Sequence, residues 1–284
     1  MQIIREINAL RRAIRAIRGR GGTLALVPTM GALHAGHMAL VAEAGRQADH
    51  VAASIFVNPA QFGPNEDLSR YPRREAKDVA MLEAGGCDLL WAPDVATMYP
   101  AGHATRIRVT GISEPLEGAS RPGHFDGVAT VVAKLFNQVQ PDLALFGEKD
   151  FQQLAVIRAM VRDLDLAVEI VGVPTQRDAD GLALSSRNQY LSPEQRIAAR
   201  TLPRVLLETA QALRSGAGVR LALEEGRRAL RQASFDEPDY LELCDPDTLL
   251  PLTALDRPAR LLVAARIGTT RLIDNVEVTP PDLS

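Results

Sequence analysis

The sequence predicts an α/β fold in which a parallel sheet is wound with helices and is followed by a smaller α+β domain. Short apolar runs alternate with helical segments up to about residue 175, and beyond Pro174 two long helices precede a group of strands. A chain of 284 residues is also long enough for about two domains of ~150 residues each. We therefore expect one domain at 1–175 and a second at 176–284.

The first domain is predicted to begin with an amphipathic helix. Isoleucine and leucine recur at spacings of three and four from Ile3 to Ile17, arginines occupy the other face, and the glycine-rich stretch 19–22 ends the pattern. Strands and helices then alternate, and the first of them form a βαβ unit. The predicted strands are 23–27, 51–57, 88–91, 143–146 and 167–171, and the predicted helices are 36–49, 73–84, 128–139 and 150–164.

The second domain has a different pattern. Its predicted helices cover 193–213 and 219–232, and its predicted strands cover 240–244, 261–266 and 271–278. In the first domain, ligands are expected at the carboxyl ends of the parallel strands.

Composition restricts the class of protein. Hydrophobic residues make up 46% and charged residues 24%, which is typical of a globular protein. A net charge of −3 argues against nucleic acid or an anionic membrane as a partner, although the arginine-rich first helix keeps an RNA-binding module open as an alternative. No apolar run approaches the ~18 residues of a membrane span. Cys87 and Cys244 form no C-x-x-C motif, so we expect a reduced, cytoplasmic protein.

The turn after the first strand carries the strongest chemical signal. It contains Gly31, His34, Gly36 and His37, and the two histidines stand at the predicted start of a helix. Glycines let backbone N–H groups approach a ligand, and the N-terminus of a helix favours negative charge. The sequence therefore predicts a phosphate site here, although it contains neither G-x-x-x-x-G-K-[ST] nor a G-x-G-x-x-G after the first strand.

A second predicted phosphate site follows the strand 143–146. The chain has 29 arginines but only three lysines, so arginine fills most positions where either cation would serve. Lys149 could therefore be kept for its chemistry, or it could be a lysine that survives by chance. Asp150 could accept from ribose hydroxyls or be an ordinary acid at a helix start. Gln153 lies on the same helix face as both.

Two further groups of polar residues are open to more than one interpretation. Asn58 and Gln61 offer neutral amides suited to a small hydroxy acid, but they could also be turn residues beside Pro59. Ser185, Ser186 and Arg187 could form a mobile phosphate clamp, or the serines could cap a helix.

These motifs together resemble the pantoate-beta-alanine ligase family, within the H-x-G-H nucleotidyltransferase superfamily and its Rossmann-like fold. The resemblance covers nearly the whole chain and is carried by ordered blocks, which are 28–37, 56–62, 71–73, 147–153, 180–188 and the tail 268–275. Other adenylate-forming enzymes and adenylyltransferases of the superfamily are the nearest alternative.

The resemblance implies ATP and Mg²⁺ as cofactors and an AMP-forming ligase reaction that joins pantoate to beta-alanine through a pantoyl adenylate. It also implies a homodimer, with the second domain or the loop near Ser186 closing over the active site. The ATP-binding residues would be Met30, Gly31, Ala32, Leu33, His34, Ala35, Gly36, His37, Gly147, Glu148, Lys149, Asp150, Gln176, Leu184, Ser185, Ser186 and Arg187. Of these, His34, His37 and Lys149 would be catalytic, with His37 the candidate proton donor.

The same resemblance assigns the remaining site residues. Gln61, Gln153 and Asn58 would bind pantoate and beta-alanine, and Asp78 would lie near the magnesium. The stretch with Glu117, Arg121 and His124 would line the acid pocket. The chain departs from the family at Leu184, where methionine is common, and at Gln176, where valine is common.

Overall fold

The computed structural model describes residues 1–64 and 66–281 of the chain. These residues form two units, each of which is described by itself below. Unit 1 comprises Met1–Ser113, Arg121–Glu148 and Gln153–Pro174, and unit 2 comprises Glu114–Ser120, Lys149–Gln152 and the chain from Thr175 onward.

Unit 1 is built on a parallel sheet, which has six strands in the described part of the chain, in the order β1-β4-β3-β2-β5-β6. Its strands are β1 (Gln2–Ile4), β2 (Leu24–Thr29), β3 (His50–Ile55), β4 (Leu89–Trp91), β5 (Leu143–Gly147) and β6 (Glu169–Val173). Its helices are α1 (Ile7–Arg18), α2 (Ala35–Gln47), α3 (Glu75–Ala84), α4 (Val95–Met98), α6 (His124–Val139) and α7 (Phe151–Asp163), and α5 (Glu117–Ser120) belongs to unit 2. The first two residues of α7 also group with unit 2.

Apolar side chains on both faces of this sheet are buried, as expected for parallel strands covered by helices. On one face Leu24, Leu26 and Trp91 pack with α1 and α6, and on the other Ala25 and Val27 pack with residues of α2. Strand residues alternate between the two cores because side chains along a strand point to opposite faces. The strands therefore read as continuous apolar runs in the sequence.

The N-terminus differs from the prediction. We expected a helix from Ile3, but Gln2–Ile4 is a strand that pairs with β4, and the helix begins at Ile7. Ile3 and Ile4 fit the helical spacing of the later isoleucines, yet three residues next to a sheet edge gain backbone hydrogen bonds as a strand. Tertiary pairing therefore overrides the local periodicity here.

Unit 2 contains an antiparallel sheet and a group of helices. Its strands, in the order β7-β8-β9, are β7 (Tyr240–Cys244), β8 (Ala259–Ile267) and β9 (Thr270–Val278), and its further helices are α8 (Pro193–Ala199), α9 (Thr201–Arg214) and α10 (Val219–Gln232). The single helix predicted at 193–213 is interrupted at Arg200 and forms α8 and α9. Leucines of α9, α10 and the sheet share one core.

The predicted α/β fold class is confirmed: a helix-wound parallel sheet is accompanied by a smaller unit of helices and antiparallel strands. None of the helices within 1–64 and 66–281 has the length and apolar character that crossing a bilayer requires.

Candidate active site

The carboxyl ends of three adjacent strands bring predicted site segments to one edge of the unit 1 sheet. β2 pairs with β3 on one side and with β5 on the other, all in parallel. The segments after Thr29, Ile55 and Gly147 therefore start side by side. This is the edge at which open α/β sheets bind ligands.

His34 and His37 lie together at the N-terminus of α2. His34 is the N-cap residue, its ring centroid is 4.1 Å from that of His37, and its Nδ1 accepts from the backbone N–H of Gly36 at 3.2 Å. The backbone N–H of His34 in turn donates to Nδ1 of His37 at 3.3 Å. Because each Nδ1 accepts a hydrogen bond, each neutral ring carries its proton on Nε2. Two imidazole N–H donors therefore accompany a helix N-terminus, which suits phosphate oxygens.

The turn 30–33 requires a special backbone. Gly31 has φ 79°, and a Cβ there would lie 3.0 Å from Oδ2 of Asp78 and 3.1 Å from Cγ2 of Ile55. Ala32 has φ 52°, although it is not glycine. The conformation is held by Asp78, which accepts from the N–H of Ala32 at 2.8 Å and from that of Leu33 at 2.9 Å.

Asp78 is 1% exposed, and both of its carboxylate oxygens bind the backbone of this turn. That geometry gives it a structural role and lends no support to the expectation that it lies near magnesium. Among the described residues, moreover, no group of three or more His, Cys, Asp or Glu side chains could hold a metal ion.

Asn58 and Gln61 lie in the segment after β3 and contact each other. Nδ2 of Asn58 donates to Oε1 of Gln61 at 3.0 Å and to the carbonyl of Gly127 at 3.1 Å, while its Oδ1 accepts from the Tyr99 hydroxyl at 2.8 Å. Nε2 of Gln61 contacts Sδ of Met30 at 3.2 Å, which places the first predicted ATP-site residue beside a predicted pantoate ligand. Asn58, 1% exposed, therefore orients the Gln61 side chain through the hydrogen bond from its Nδ2.

Arg121 and His124 support the same segment. Arg121 forms a two-point ion pair with Glu66, at 2.8 Å from Nε and 2.6 Å from Nη2. Its Nη1 is 3.1 Å from Nε2 of His124, whose Nδ1 is 2.8 Å from the carbonyl oxygen of Gln61. Arginine only donates, so Nε2 of His124 accepts and its Nδ1–H donates to Gln61. His124 thus connects Arg121 to the backbone of Gln61.

Glu117, which the sequence grouped with Arg121 and His124, belongs to unit 2 instead. It accepts from the Tyr240 hydroxyl at 2.8 Å and forms an ion pair with Arg271 at 2.6 Å. Burial raises the pKa of Tyr240 well above its ordinary value, and the adjacent Glu117 carboxylate raises it further. The hydroxyl therefore stays protonated and serves Glu117 as a hydrogen-bond donor.

The segment after β5 starts at the sheet edge and continues into unit 2. Gly147 ends the strand, a single 3-10 turn covers Glu148–Asp150, and α7 follows. The Lys149 side chain is 17% exposed, and its Nζ is 3.8 Å from Oδ2 of Asp150. Gln153, half-buried in α7, is the next residue of unit 1.

The loop with Ser185, Ser186 and Arg187 lies within unit 2. Oγ of Ser185 accepts from the N–H of Arg187 at 3.2 Å and caps the short 3-10 helix Ser186–Tyr190. The N–H of Leu184 donates to the carbonyl of Gln176 at 2.9 Å. These two backbone groups bond to each other, so a nucleotide would contact the other backbone groups of the two residues, the Leu184 carbonyl and the Gln176 N–H.

Sequence reasoning missed Tyr99 and Glu66. Tyr99 reaches Asn58 from 41 positions away and Glu66 reaches Arg121 from 55, so no local spacing could have revealed either contact. Burial raises the pKa of Tyr99 to about 12, which keeps its hydroxyl a donor.

Comparisons with known proteins agree with the motifs. The family model described as pantoate-beta-alanine ligase matches residues 2–277. The pantothenate synthetase of Rhizorhabdus wittichii is 62% identical to the chain, and the match covers 99% of each protein. That of Sphingopyxis alaskensis is 60% identical, over 98% of this chain and 100% of the relative.

Solved structures give the same result. The pantothenate synthetase of Thermus thermophilus superimposes with a TM-score of 0.93 at 54% identity, covering 99% of this chain and all of that one. The pantoate-beta-alanine ligase of Francisella tularensis, complexed with beta-gamma ATP and beta-alanine, gives a TM-score of 0.81 at 35% identity, with 97% of each chain covered. On the family match and on relatives that align along almost their whole length, this chain belongs to the pantoate-beta-alanine ligase family.

Proposed function

We propose that this chain catalyses the ATP-dependent condensation of pantoate with beta-alanine, which yields pantothenate, AMP and pyrophosphate. The observation that carries the proposal is the pair of contacting histidines, His34 and His37, at the N-terminus of α2, at the carboxyl edge of the sheet. The nucleotide and beta-alanine named for the Francisella tularensis relative are the ligands that this reaction requires.

The reaction has two steps. In the first, a carboxylate oxygen of pantoate attacks the α-phosphorus of ATP, and the bond from that phosphorus to the bridging oxygen breaks to release pyrophosphate. In the second, the beta-alanine nitrogen attacks the acyl carbon of the adenylate, loses a proton and displaces AMP. Both steps depend mainly on positioning the reactants and on stabilising the charge of the transition state.

Residues 31–37 are assigned to the phosphates of ATP through the Nε2–H groups of His34 and His37 and the positive end of the α2 dipole, with His37 as the proton donor. Lys149 contributes a single ammonium, which offsets charge on the phosphates. The remaining ATP ligands are Met30, Gly147, Glu148, Asp150, Gln176, Leu184, Ser185, Ser186 and Arg187.

Pantoate and beta-alanine are assigned to Gln61 and Gln153, and Asn58 orients Gln61 through its 3.0 Å bond. Mg²⁺ would be bound through the ATP phosphates and would neutralise part of their charge. A homodimer and a cytoplasmic location complete the proposal.

The test is an assay of AMP and pantothenate formation, together with ATP–pyrophosphate exchange over a panel of acids. We expect exchange with pantoate alone among the acids, and amide formation only when beta-alanine is added. Exchange driven by a different acid, without a response to pantoate, would assign the chain to another adenylate-forming reaction.

Lys149→Ala tests the main residue assignment. We expect turnover to fall by about 100-fold or more, which is typical for loss of one group that stabilises a transition state. Lys77→Ala is the matched control, because Lys77 is an exposed lysine on α3. Equal turnover in the two variants would refute the role of Lys149.

A further inference from the structure

Two adjacent polar residues of β9, Asp274 and Asn275, are buried in unit 2, at 2% and 3% exposure. They end the tail block that resembles the family, yet the proposed reaction gives them no role. A buried carboxylate and a buried amide need hydrogen-bond partners, so their partners reveal what they hold in place.

Asn275 holds the backbone of Lys149. Its Nδ2 donates to the Lys149 carbonyl at 2.9 Å, and its Oδ1 accepts from Nε of Arg260 at 2.6 Å. The Arg260 guanidinium lies 4.4 Å from the centroid of the Phe151 ring, within the range of a cation–π contact. β8 and β9 therefore hold the chain on both sides of Asp150, and the Lys149 side chain extends from a fixed backbone.

Asp274 holds the start of the segment that leads to Ser185. Its two carboxylate oxygens accept from Nη1 and Nη2 of Arg177 at 2.6 and 2.8 Å, a two-point ion pair with a fixed geometry. Nη1 of Arg177 also donates to the Gly181 carbonyl at 3.0 Å, and Arg177 forms a β-bridge with Ala183. The hairpin before the predicted phosphate clamp is thus attached to β9.

Asp274 and Asn275 are also coupled to each other, because the backbone N–H of Asn275 donates to Oδ1 of Asp274 at 2.8 Å. One dipeptide therefore anchors two segments of unit 2 that are each predicted to bind the triphosphate. Displacement of a catalytic group by about 1 Å can lower a rate roughly 100-fold, so such anchors have kinetic consequences.

We infer that Asp274 and Asn275 are positioning residues for the adenylation step: Asn275 sets the position of Lys149, and Asp274, through Arg177, sets that of the loop with Ser185 and Arg187. The inference rests on the proposed function. The role inferred for both residues is indirect, through the segments they hold.

The first experiment is a double-mutant cycle with Asn275→Asp and Lys149→Ala, measured by pantoate-dependent ATP–pyrophosphate exchange. Asn275→Asp keeps the acceptor for Arg260 but replaces the donor to the Lys149 carbonyl with an oxygen. We expect kcat to fall about tenfold or more in the native background, and less than about twofold when Lys149 is already alanine.

A purely structural role predicts the same fold-loss in both backgrounds, and that result would overturn the inference. Asn137→Asp is the matched control, because Nδ2 of this exposed asparagine also donates to a backbone carbonyl, that of Ala133, at 2.8 Å. Asn275→Ser, which adds no negative charge, serves if the aspartate variant does not fold.

The second experiment tests the Asp274 side through Arg177→Lys, which keeps the positive charge but loses the two-point geometry. We expect Arg177→Lys to raise the KM for ATP about fivefold in the native background. In a protein that already carries Arg187→Ala, we expect it to change the KM for ATP little. If the effects are additive in both cycles and the native protein makes pantothenate, the inference about Asp274 and Asn275 is refuted and the proposed function stands. A native protein that makes no AMP from ATP, pantoate and beta-alanine would instead refute the proposed function.

Discussion

Replacing Asp78 with asparagine tests whether the turn before His34 depends on a buried carboxylate. The two oxygens of Asp78 accept from the N–H groups of Ala32 and Leu33 at 2.8 and 2.9 Å. Asparagine has nearly the same shape, but one of its terminal atoms is an amide nitrogen that cannot accept. One backbone N–H therefore loses its acceptor and faces a second donor.

The cost follows from this geometry. A hydrogen bond to a charged group contributes about 1.5–3 kcal/mol, and an unsatisfied buried donor costs about 1–3 kcal/mol. The left-handed conformation of Ala32, with φ 52°, already costs the native protein about 1–2 kcal/mol, so relaxation of the turn in the variant would recover part of the loss. Because the turn can partly relax, we expect Asp78→Asn to lower the free energy of unfolding by about 2–4 kcal/mol.

Thermal unfolding in a chelator, without nucleotide, is the appropriate assay because it excludes any contribution from magnesium. We expect the melting temperature to fall by roughly 5–10 °C, and exchange activity to fall as His34 and His37 are displaced. Asp163→Asn is the control, since this carboxylate is exposed in the same unit. A variant as stable as the control, but with a raised requirement for magnesium, would refute our reasoning and make Asp78 a metal ligand.

Two other predictions concern packing and titration. Gly127→Ala would place a Cβ 2.2 Å from the carbonyl oxygen of Ala60, so we expect the free energy of unfolding, measured by chemical denaturation, to fall by several kcal/mol. Gly45→Ala is the control: its Cβ would meet nothing closer than 3.9 Å, so this variant should be as stable as the native protein or slightly more stable. Burial raises the pKa of the Cys87 thiol to about 11 and that of Cys244 to about 12, so we expect neither to react with a thiol reagent at pH 8 until the protein unfolds. Because the folded state favours the protonated thiols, this contribution to stability is present at neutral pH and is lost as the pH rises toward those values. Rapid labelling of Cys87 or Cys244 in the native protein at pH 8 would contradict the prediction that both thiols are unreactive.

The parts of the site that local chemistry determines were predictable from the sequence. The β2–turn–α2 segment needs a residue with positive φ at Gly31, an N-cap at His34 and a helix start at residue 35, and each leaves a mark within ten residues. The contact between the two imidazoles follows from their spacing of three residues, which places them on one face of a helical turn.

The role of Asp78 depends instead on contacts that are distant in sequence. The family resemblance placed it near magnesium, whereas its hydrogen-bond partners in the structure lie 45 and 46 positions earlier. No spacing within α3 distinguishes a carboxylate that binds a turn from one that binds an ion.

The break at Arg200 had a local signal that the apolar period concealed. Pro203 has no N–H to donate to the carbonyl of Ala199, so a helix running continuously from 193 to 213 would lose that hydrogen bond. In the structure Pro203 instead lies in the first turn of α9, where no such bond is needed. Periodicity records which face is buried and not where a helix is interrupted.

Asn275 illustrates why supporting residues escape local reasoning. Asp followed by Asn is a dipeptide typical of turns, yet in β9 it lies within a strand, with both side chains buried. The conflict is resolved by partners that arrive from elsewhere in unit 2: Arg177 lies 97 positions away and Lys149 lies 126. A strand accepts such a pair only where those partners satisfy the polar groups, and polar residues that contradict local propensity are expected at sites under functional constraint. The mismatch between propensity and structure at Asp274 and Asn275 is therefore itself a reason to examine this dipeptide for a role in the reaction.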